Sequence, residues 1–174
     1  MTIEELKKAI RNVPDYPKKG IQFKDLTTLI KVPEYFQYII DELAVMYSGR
    51  EITKVVGIES RGFIFGGALA SALGAGFVPI RKAGKLPADC YTVSYILEYG
   101  KDSIEIHKDA IEPGETILLH DDLLATGGTS KAAIELLKNF KPEEIYLNYI
   151  VELNFLEGRK AIGDEYDISA LLHF

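Results

Sequence analysis

Residues 117–130 of this 174-residue chain read Ile-Leu-Leu-His-Asp-Asp-Leu-Leu-Ala-Thr-Gly-Gly-Thr-Ser. An apolar run, two adjacent acids and a turn of small residues stand directly before an amphipathic stretch, an order suited to holding a phosphorylated sugar. The amides of a tight turn and the unpaired amides of a helix N-terminus form a concave donor array whose dipole favours a phosphate. Gly127 and Gly128 let the backbone approach an anion, and Thr126, Thr129 and Ser130 add hydroxyl donors. Asp121 and Asp122 are acceptors only when ionised, so they suit ribose hydroxyls or a hydrated Mg²⁺ better than phosphate. The turn fails the ATPase loop pattern, because Thr129 and not Lys follows the second glycine.

Other reactive residues are sparse. His107, His120 and His173 are too scattered for metal-ligand spacing, and Cys90 is the only cysteine. An internal disulfide and a cysteine-based metal cluster are therefore excluded, and a reducing compartment, the cytoplasm, is expected. No histidine is visibly paired with Cys90, which reads as a bystander. With 26 acids against 20 Lys and Arg, the net charge of −6 makes nucleic acid an unsuitable partner for the surface as a whole. Any anion site must be local. Lys82 and Lys85 read most simply as solubilising loop charges, yet beside Gly84 and Pro87 and downstream of Arg81 they are well placed for an anion.

Several elements must position these groups. Thr2 and Glu5 have capping-box spacing, and Ile3, Leu6, Ile10 and Val13 share a face, predicting a helix over 3–12 that stops before Pro14. A loop is expected over 15–20. Pro33 followed by Phe36, Ile39, Ile40, Leu43 and Met46 predicts a second helix ending near Gly49. Short apolar runs at 54–58, 77–80, 116–120 and 145–151, with helical stretches at about 62–73 and 129–140, predict a parallel sheet with crossover helices. Tyr91–Tyr99 and Ser103–His107 alternate in character around residues 99–102, a hairpin pattern, and Asp167–Phe174 carries an edge-strand pattern. Residues 82–90 have turn formers and cations without periodicity, as a mobile cover would. Phe63–Ile80 carries no charge, but its four glycines and Pro79 break it into a buried helix and a strand, so no membrane span is expected. The length suits a single domain over 1–174, able to bury about 70% of its unfolded surface.

In this setting the chain resembles the adenine phosphoribosyltransferases. The resemblance rests on Val13–Asp25, on Val56-Gly-Ile-Glu-Ser-Arg-Gly-Phe-Ile-Phe-Gly66, on Leu73–Pro87 with its Arg-Lys-Ala-Gly-Lys-Leu-Pro, on Leu97-Glu-Tyr-Gly100 and on Ile106–Ile111, in the family's order from about 13 to 159. It implies an α/β type I phosphoribosyltransferase fold: a central parallel sheet flanked by helices, with a hairpin lid over 82–107 and an N-terminal hood over 1–30. The implied activity joins adenine to 5-phosphoribosyl 1-diphosphate, giving AMP and pyrophosphate for purine salvage, by a cytoplasmic homodimer that uses Mg²⁺.

Residue by residue, the resemblance makes Ala125, Thr126, Gly127, Gly128 and Thr129 the 5′-phosphate cradle and Asp121 and Asp122 the ribose-hydroxyl ligands. Mg²⁺ would ride on the diphosphate, with Asp121 and Asp122 as candidate supports. Glu59, Ser60 and Arg61 form the pyrophosphate loop, where the family tends to a non-proline cis peptide. Arg81, Lys82 and Lys85 supply charge to the pyrophosphate, within one protomer or across a dimer interface. Phe23, Lys24, Asp25 and Tyr99 border the base, and Arg61, Lys85 and Glu98 are the catalytic candidates. Displacement at an anomeric carbon needs positioned cations and exclusion of water, and a carboxylate near the imidazole edge of adenine, Glu98, can take its proton. Three positions depart from the family's pattern: His120 in place of an aliphatic residue, Gly67-Ala68 in place of a proline-containing pair, and Lys24 where Arg is frequent. Two rivals stay open: the same transfer to a 6-oxopurine, and a non-catalytic sensor of the sugar diphosphate.

Overall fold

A computed structural model describes residues 1–97 and 100–174. In chain order the elements are α1 (Ile3–Ala9), β1 (Arg11–Pro14), β2 (Gln22–Asp25), α2 (Thr27–Ile30), α3 (Pro33–Met46), β3 (Lys54–Ile58), α4 (Gly62–Leu73) and β4 (Gly76–Lys82). They continue as β5 (Cys90–Leu97), β6 (Gly100–His107), β7 (Thr116–Leu124), α5 (Gly128–Lys138), β8 (Glu144–Glu152), α6 (Gly158–Ile162) and β9 (Ile168–His173). One seven-stranded sheet runs in the order β5-β6-β4-β3-β7-β8-β9. The five strands from β4 to β9 pair in parallel, whereas β6 joins β4, and β5 joins β6, antiparallel. The expected parallel sheet is thus present with a hairpin added at one edge.

Because side chains alternate across a strand, the sheet buries two apolar layers. Val56, Ile58, Leu119 and Leu147 pack with α5 residues such as Ala133 and Leu137 on one side. Val55, Leu118, Ile150 and Leu172 pack with Leu6, Ile39, Leu43, Phe65 and Leu69 on the other. Helices therefore flank both faces. No helix among the described residues is long and apolar enough to cross a membrane.

Four boundaries differ from the sequence expectation. The first helix does form its capping box, Thr2 with Glu5, but ends at Ala9 and not at residue 12. Residues 11–14 instead pair antiparallel with 22–25, where their amides find cross-strand partners that a helix running into Pro14 could not supply. Strand β7 does not stop at His120: β8 is long enough to pair Leu123 with Val151 and Leu124 with Glu152, so both acids lie within the strand. β4 runs on to Lys82, because Arg81 and Lys82 pair with Glu105 and Ile104 of β6. In the hairpin, β6 begins at Gly100 and not at Ser103, because Gly100–Asp102 pair with Tyr95–Leu97 of β5.

Candidate active site

The C-terminal ends of β3, β4 and β7 converge with three connections, the place where parallel α/β sheets hold ligands. Directly after β3 come Glu59, Ser60 and Arg61, with a cis peptide between Glu59 and Ser60. Arg81 Nε lies 3.3 Å from Glu59 Oε2, and the Lys82 amide donates to the same oxygen at 3.0 Å. Lys85 Nζ donates to Glu59 Oε1. The Lys85 ammonium, with the Lys82 amide and Arg81, pulls the Glu59 carboxyl down to about 2. The cations expected at the pyrophosphate are thus gathered at one place, except that Lys82 turns its ammonium to Asp102 at 3.2 Å.

Asp121 and Asp122 stand at the end of β7 beside the start of α4. Asp122 is 3% exposed, and Arg61 Nε lies 2.9 Å from its Oδ2, an ion pair in which that oxygen receives no hydrogen bond. Asp121 Oδ1 accepts from the Asp122 amide at 2.9 Å. Burial and the neighbouring Asp122 charge push Asp121 well above the usual carboxylate range; burial also raises Asp122, against the pull of Arg61. Gly62 allows this closeness, since a Cβ there would sit 3.0 Å from both Asp121 Oδ1 and the His120 carbonyl.

The 125–129 turn follows, and with Asp121, Leu123, Leu124 and Ser130 it lines a pocket of about 70 Å³. Gly127 is the N-cap of α5 at φ +81°, and no side chain caps the helix, so its first-turn amides are left for another acceptor. Ser130 is buried, and its Oγ accepts from the Tyr149 hydroxyl at 2.7 Å, a bond that leaves its own hydroxyl hydrogen available to the pocket. The turn is wedged against α6. A Cβ on Gly127 would meet the Gly158 carbonyl at 2.6 Å, and one on Gly158 would meet the Ala125 carbonyl at 2.2 Å.

The β1/β2 hairpin reaches the same region. The Arg61 guanidinium lies 5.6 Å from the Phe23 ring, Tyr16 meets that ring edge-on at 5.2 Å, and Asp25 pairs with Arg11 at 3.2 Å. Lys24 Nζ lies over the Phe174 ring at 4.4 Å. Glu98 and Tyr99 fall outside the described residues. The 83–89 connection, within the 82–90 stretch expected as a mobile cover, is tied by its main-chain amides to side chains: Lys85 and Leu86 donate to Glu105 Oε1 at 2.9 and 2.8 Å, and Ala88 donates to His107 Nε2 at 3.4 Å.

Sequence reasoning passed over Gly158, Glu105 and the Glu152 cluster. Arg159 grips buried Glu152 through Nε at 3.2 Å and Nη2 at 2.7 Å, anchoring α6 under the turn. A lone glycine between Glu157 and Arg159 gives no local signal of such a close approach. Glu105 falls in an alternating strand pattern that hides its burial.

His120 has a structural role. It is fully buried, and Nδ1 bonds Asn148 Oδ1 at 2.8 Å. Asn148 Nδ2 donates to Ser169 Oγ at 3.0 Å, Ser169 shares a 2.5 Å bond with the Tyr47 hydroxyl, and Tyr47 donates to the Leu147 carbonyl at 3.3 Å. His120, Asn148 and Ser169 are register partners on β7, β8 and β9, so the row crosses the sheet beneath the acids. Nε2 has no hydrogen-bond partner among the described residues, and burial pushes the imidazole down to about 4.

The family model of the phosphoribosyl transferase domain matches residues 24–162. The adenine phosphoribosyltransferase of Bacteroides thetaiotaomicron is 53% identical over 172 residues, which is 99% of this chain and 98% of the relative. That of Halothermothrix orenii is 55% identical over 168 residues, 97% of this chain and 98% of its own. Among solved structures, the adenine phosphoribosyltransferase of Thermoanaerobacter pseudethanolicus superposes with a TM-score of 0.94 at 48% identity, covering 99% of this chain and 100% of that one. The Giardia lamblia enzyme complexed with 9-deazaadenine gives 0.95 at 42% identity over 100% of this chain and 98% of that one.

Proposed function

The chain belongs to the adenine phosphoribosyltransferases, and we propose that its own residues divide the transfer of a 5-phosphoribosyl group to adenine as follows. The 125–129 turn binds the 5′-phosphate with the free amides at the start of α5, helped by the Thr126 and Thr129 hydroxyls. Asp121 and Asp122 accept from the ribose hydroxyls, with Asp122 oriented by Arg61. Glu59, Ser60 and Arg61, with Arg81, Lys82 and Lys85, surround the diphosphate, where cations stabilise the charge that leaves as the anomeric carbon takes on oxocarbenium character. Phe23, Lys24, Asp25 and Tyr99 of the hood and hairpin border adenine. Glu98 accepts its imidazole proton as the ring nitrogen attacks. The 82–107 lid excludes water that would hydrolyse the activated sugar.

Magnesium fits this arrangement. Among the described residues no group of three or more His, Cys, Asp or Glu forms a metal cage, and Asp122 Oδ2 is buried against the Arg61 guanidinium at 2.9 Å. A site with two acids and no cage suits an ion held mostly by substrate oxygens. Asp121 and Asp122 would support it, and it would offset the diphosphate charge. A homodimer and a cytoplasmic location complete the reading, the location in line with a chain that has one cysteine.

The observation that carries the assignment is the buried, Arg61-paired Asp122 with Asp121 beside it, set between the 59–61 loop and the uncapped turn before α5. AMP formation from adenine and 5-phosphoribosyl diphosphate, measured with Mg²⁺ and again after chelation, tests it. Turnover should appear with the metal and vanish without it. Faster conversion of hypoxanthine than of adenine would restore the 6-oxopurine rival, and sugar binding without AMP would restore the sensor.

A further inference from the structure

Lys85 is held at both ends by carboxylates. Its ammonium bonds Glu59, and its own amide, with that of Leu86, donates to a single oxygen of Glu105. Glu105 is 6% exposed and lies in β6 opposite Arg81 of β4, between the buried Ile104 and Ile106. Burial raises its carboxyl, but the Leu86, Gly84 and Lys85 amides outweigh that and hold it ionised below its ordinary range. A buried acid costs desolvation energy that an aliphatic residue, like its neighbours, would avoid. Its function must therefore lie in what it binds, which is the backbone of the connection carrying Lys85.

We propose that Glu105 is a positioning residue for the reaction: it fixes the 84–86 backbone so that Lys85 delivers its charge to the diphosphate. The inference rests on the role given to Lys85 above. Two amides on one carboxylate oxygen set the height of the connection over the sheet, and Glu59 sets the direction of the ammonium. Diphosphate oxygens arriving beside Glu59 then meet a cation already in place, which lowers the ordering cost of binding.

Steady-state rates of Glu105→Met, Glu105→Gln, Lys85→Ala and the Met/Ala double variant test this with the full chain and Mg²⁺. Methionine keeps volume and apolar contact but removes the acceptor; Glu105→Ser replaces it if that variant is insoluble. The expected result is a tenfold or greater fall in kcat/KM for the sugar diphosphate in Glu105→Met, with KM for adenine within twofold. Glutamine, whose carbonyl can take the same two amides, should recover to within threefold of the parent. The double variant should be no slower than Lys85→Ala, and amide exchange at Lys85 and Leu86 should rise at least tenfold in Glu105→Met. A Glu105→Met enzyme with normal kcat/KM beside an impaired Lys85→Ala overturns the inference alone, as does a double variant whose losses multiply. Full activity in Lys85→Ala overturns the role of Lys85 and the inference with it.

Discussion

Replacing Gly158 by alanine should disable the turn before α5 without replacing any residue that binds substrate. The added Cβ would stand 2.2 Å from the Ala125 carbonyl oxygen and 2.9 Å from Leu124 Cδ1. A carbon rests against a carbonyl oxygen at roughly 3.3 Å or more, so one of the two segments must retreat by about 1 Å. α6 has little room to do so, because Arg159 pins it to Glu152 and to the Ile168 carbonyl at 2.5 Å. The turn therefore yields. Overpacking of this kind costs about 1–3 kcal/mol of stability, and a shift of about 1 Å in a positioning element costs about 10²-fold in rate. Initial rates of AMP formation should show kcat/KM for the sugar diphosphate down about 100-fold, while KM for adenine stays within about threefold. A urea titration measures the stability loss in parallel. Gly67→Ala is the control: its Cβ meets nothing within 4 Å, and inside α4 it should add up to about 1 kcal/mol with activity unchanged. Unaltered kcat/KM in a folded Gly158→Ala enzyme would refute the claim that this contact sets the turn.

Other outcomes follow from the same geometry. Asp122→Asn should lower kcat about 10²-fold or more with little change in melting temperature, since the amide keeps the shape but loses the charge that orients Arg61; a near-normal rate would remove Asp122 from the site. His120→Leu should flatten part of the acid sensitivity. The imidazole titrates at about 4 in the fold against 6.5 when free, so the unfolded chain binds more protons between those values. Its share of stability is whole above pH 6.5 and falls by about 3 kcal/mol by pH 4, at about 1.4 kcal/mol per tenfold. Denaturant titrations of the two proteins across that window should diverge by this amount, and parallel curves would contradict it. Arg159→Ala leaves Glu152 buried without its cation and should cost about 2 kcal/mol, roughly 6 °C in melting temperature, between the values for surface and buried pairs; calorimetry reads it directly.

How far the chain could be read from its letters varied with how local the cause was. The capping box at Thr2 and Glu5, Pro33 at a helix start and the aliphatic strand runs are local, and each placed its element. The extent of β7 is not local: it depends on β8 and on the Leu123–Val151 and Leu124–Glu152 pairs, so the sequence places the acids just past the 116–120 run. The same holds for Ser130 of α5, whose hydroxyl accepts from Tyr149 of β8, and for Glu105, whose partners are main-chain amides about twenty positions away. The acids and the glycine turn could be recognised because a phosphorylated sugar demands those groups in a row. The contacts that hold them still come from residues distant in sequence, and no spacing rule points to them.

The row from His120 through Asn148 and Ser169 to Tyr47 carries a consequence for how this sequence can change. Asn148, Ser169 and Tyr47 each make two of its bonds and His120 ends it with one, so exchanging a member for a greasy side chain strands its neighbour in a dry interior. Drift at position 120 toward the aliphatic type is therefore expected to drag positions 148 and 169 along, and the quartet should be lost or kept as one heritable block.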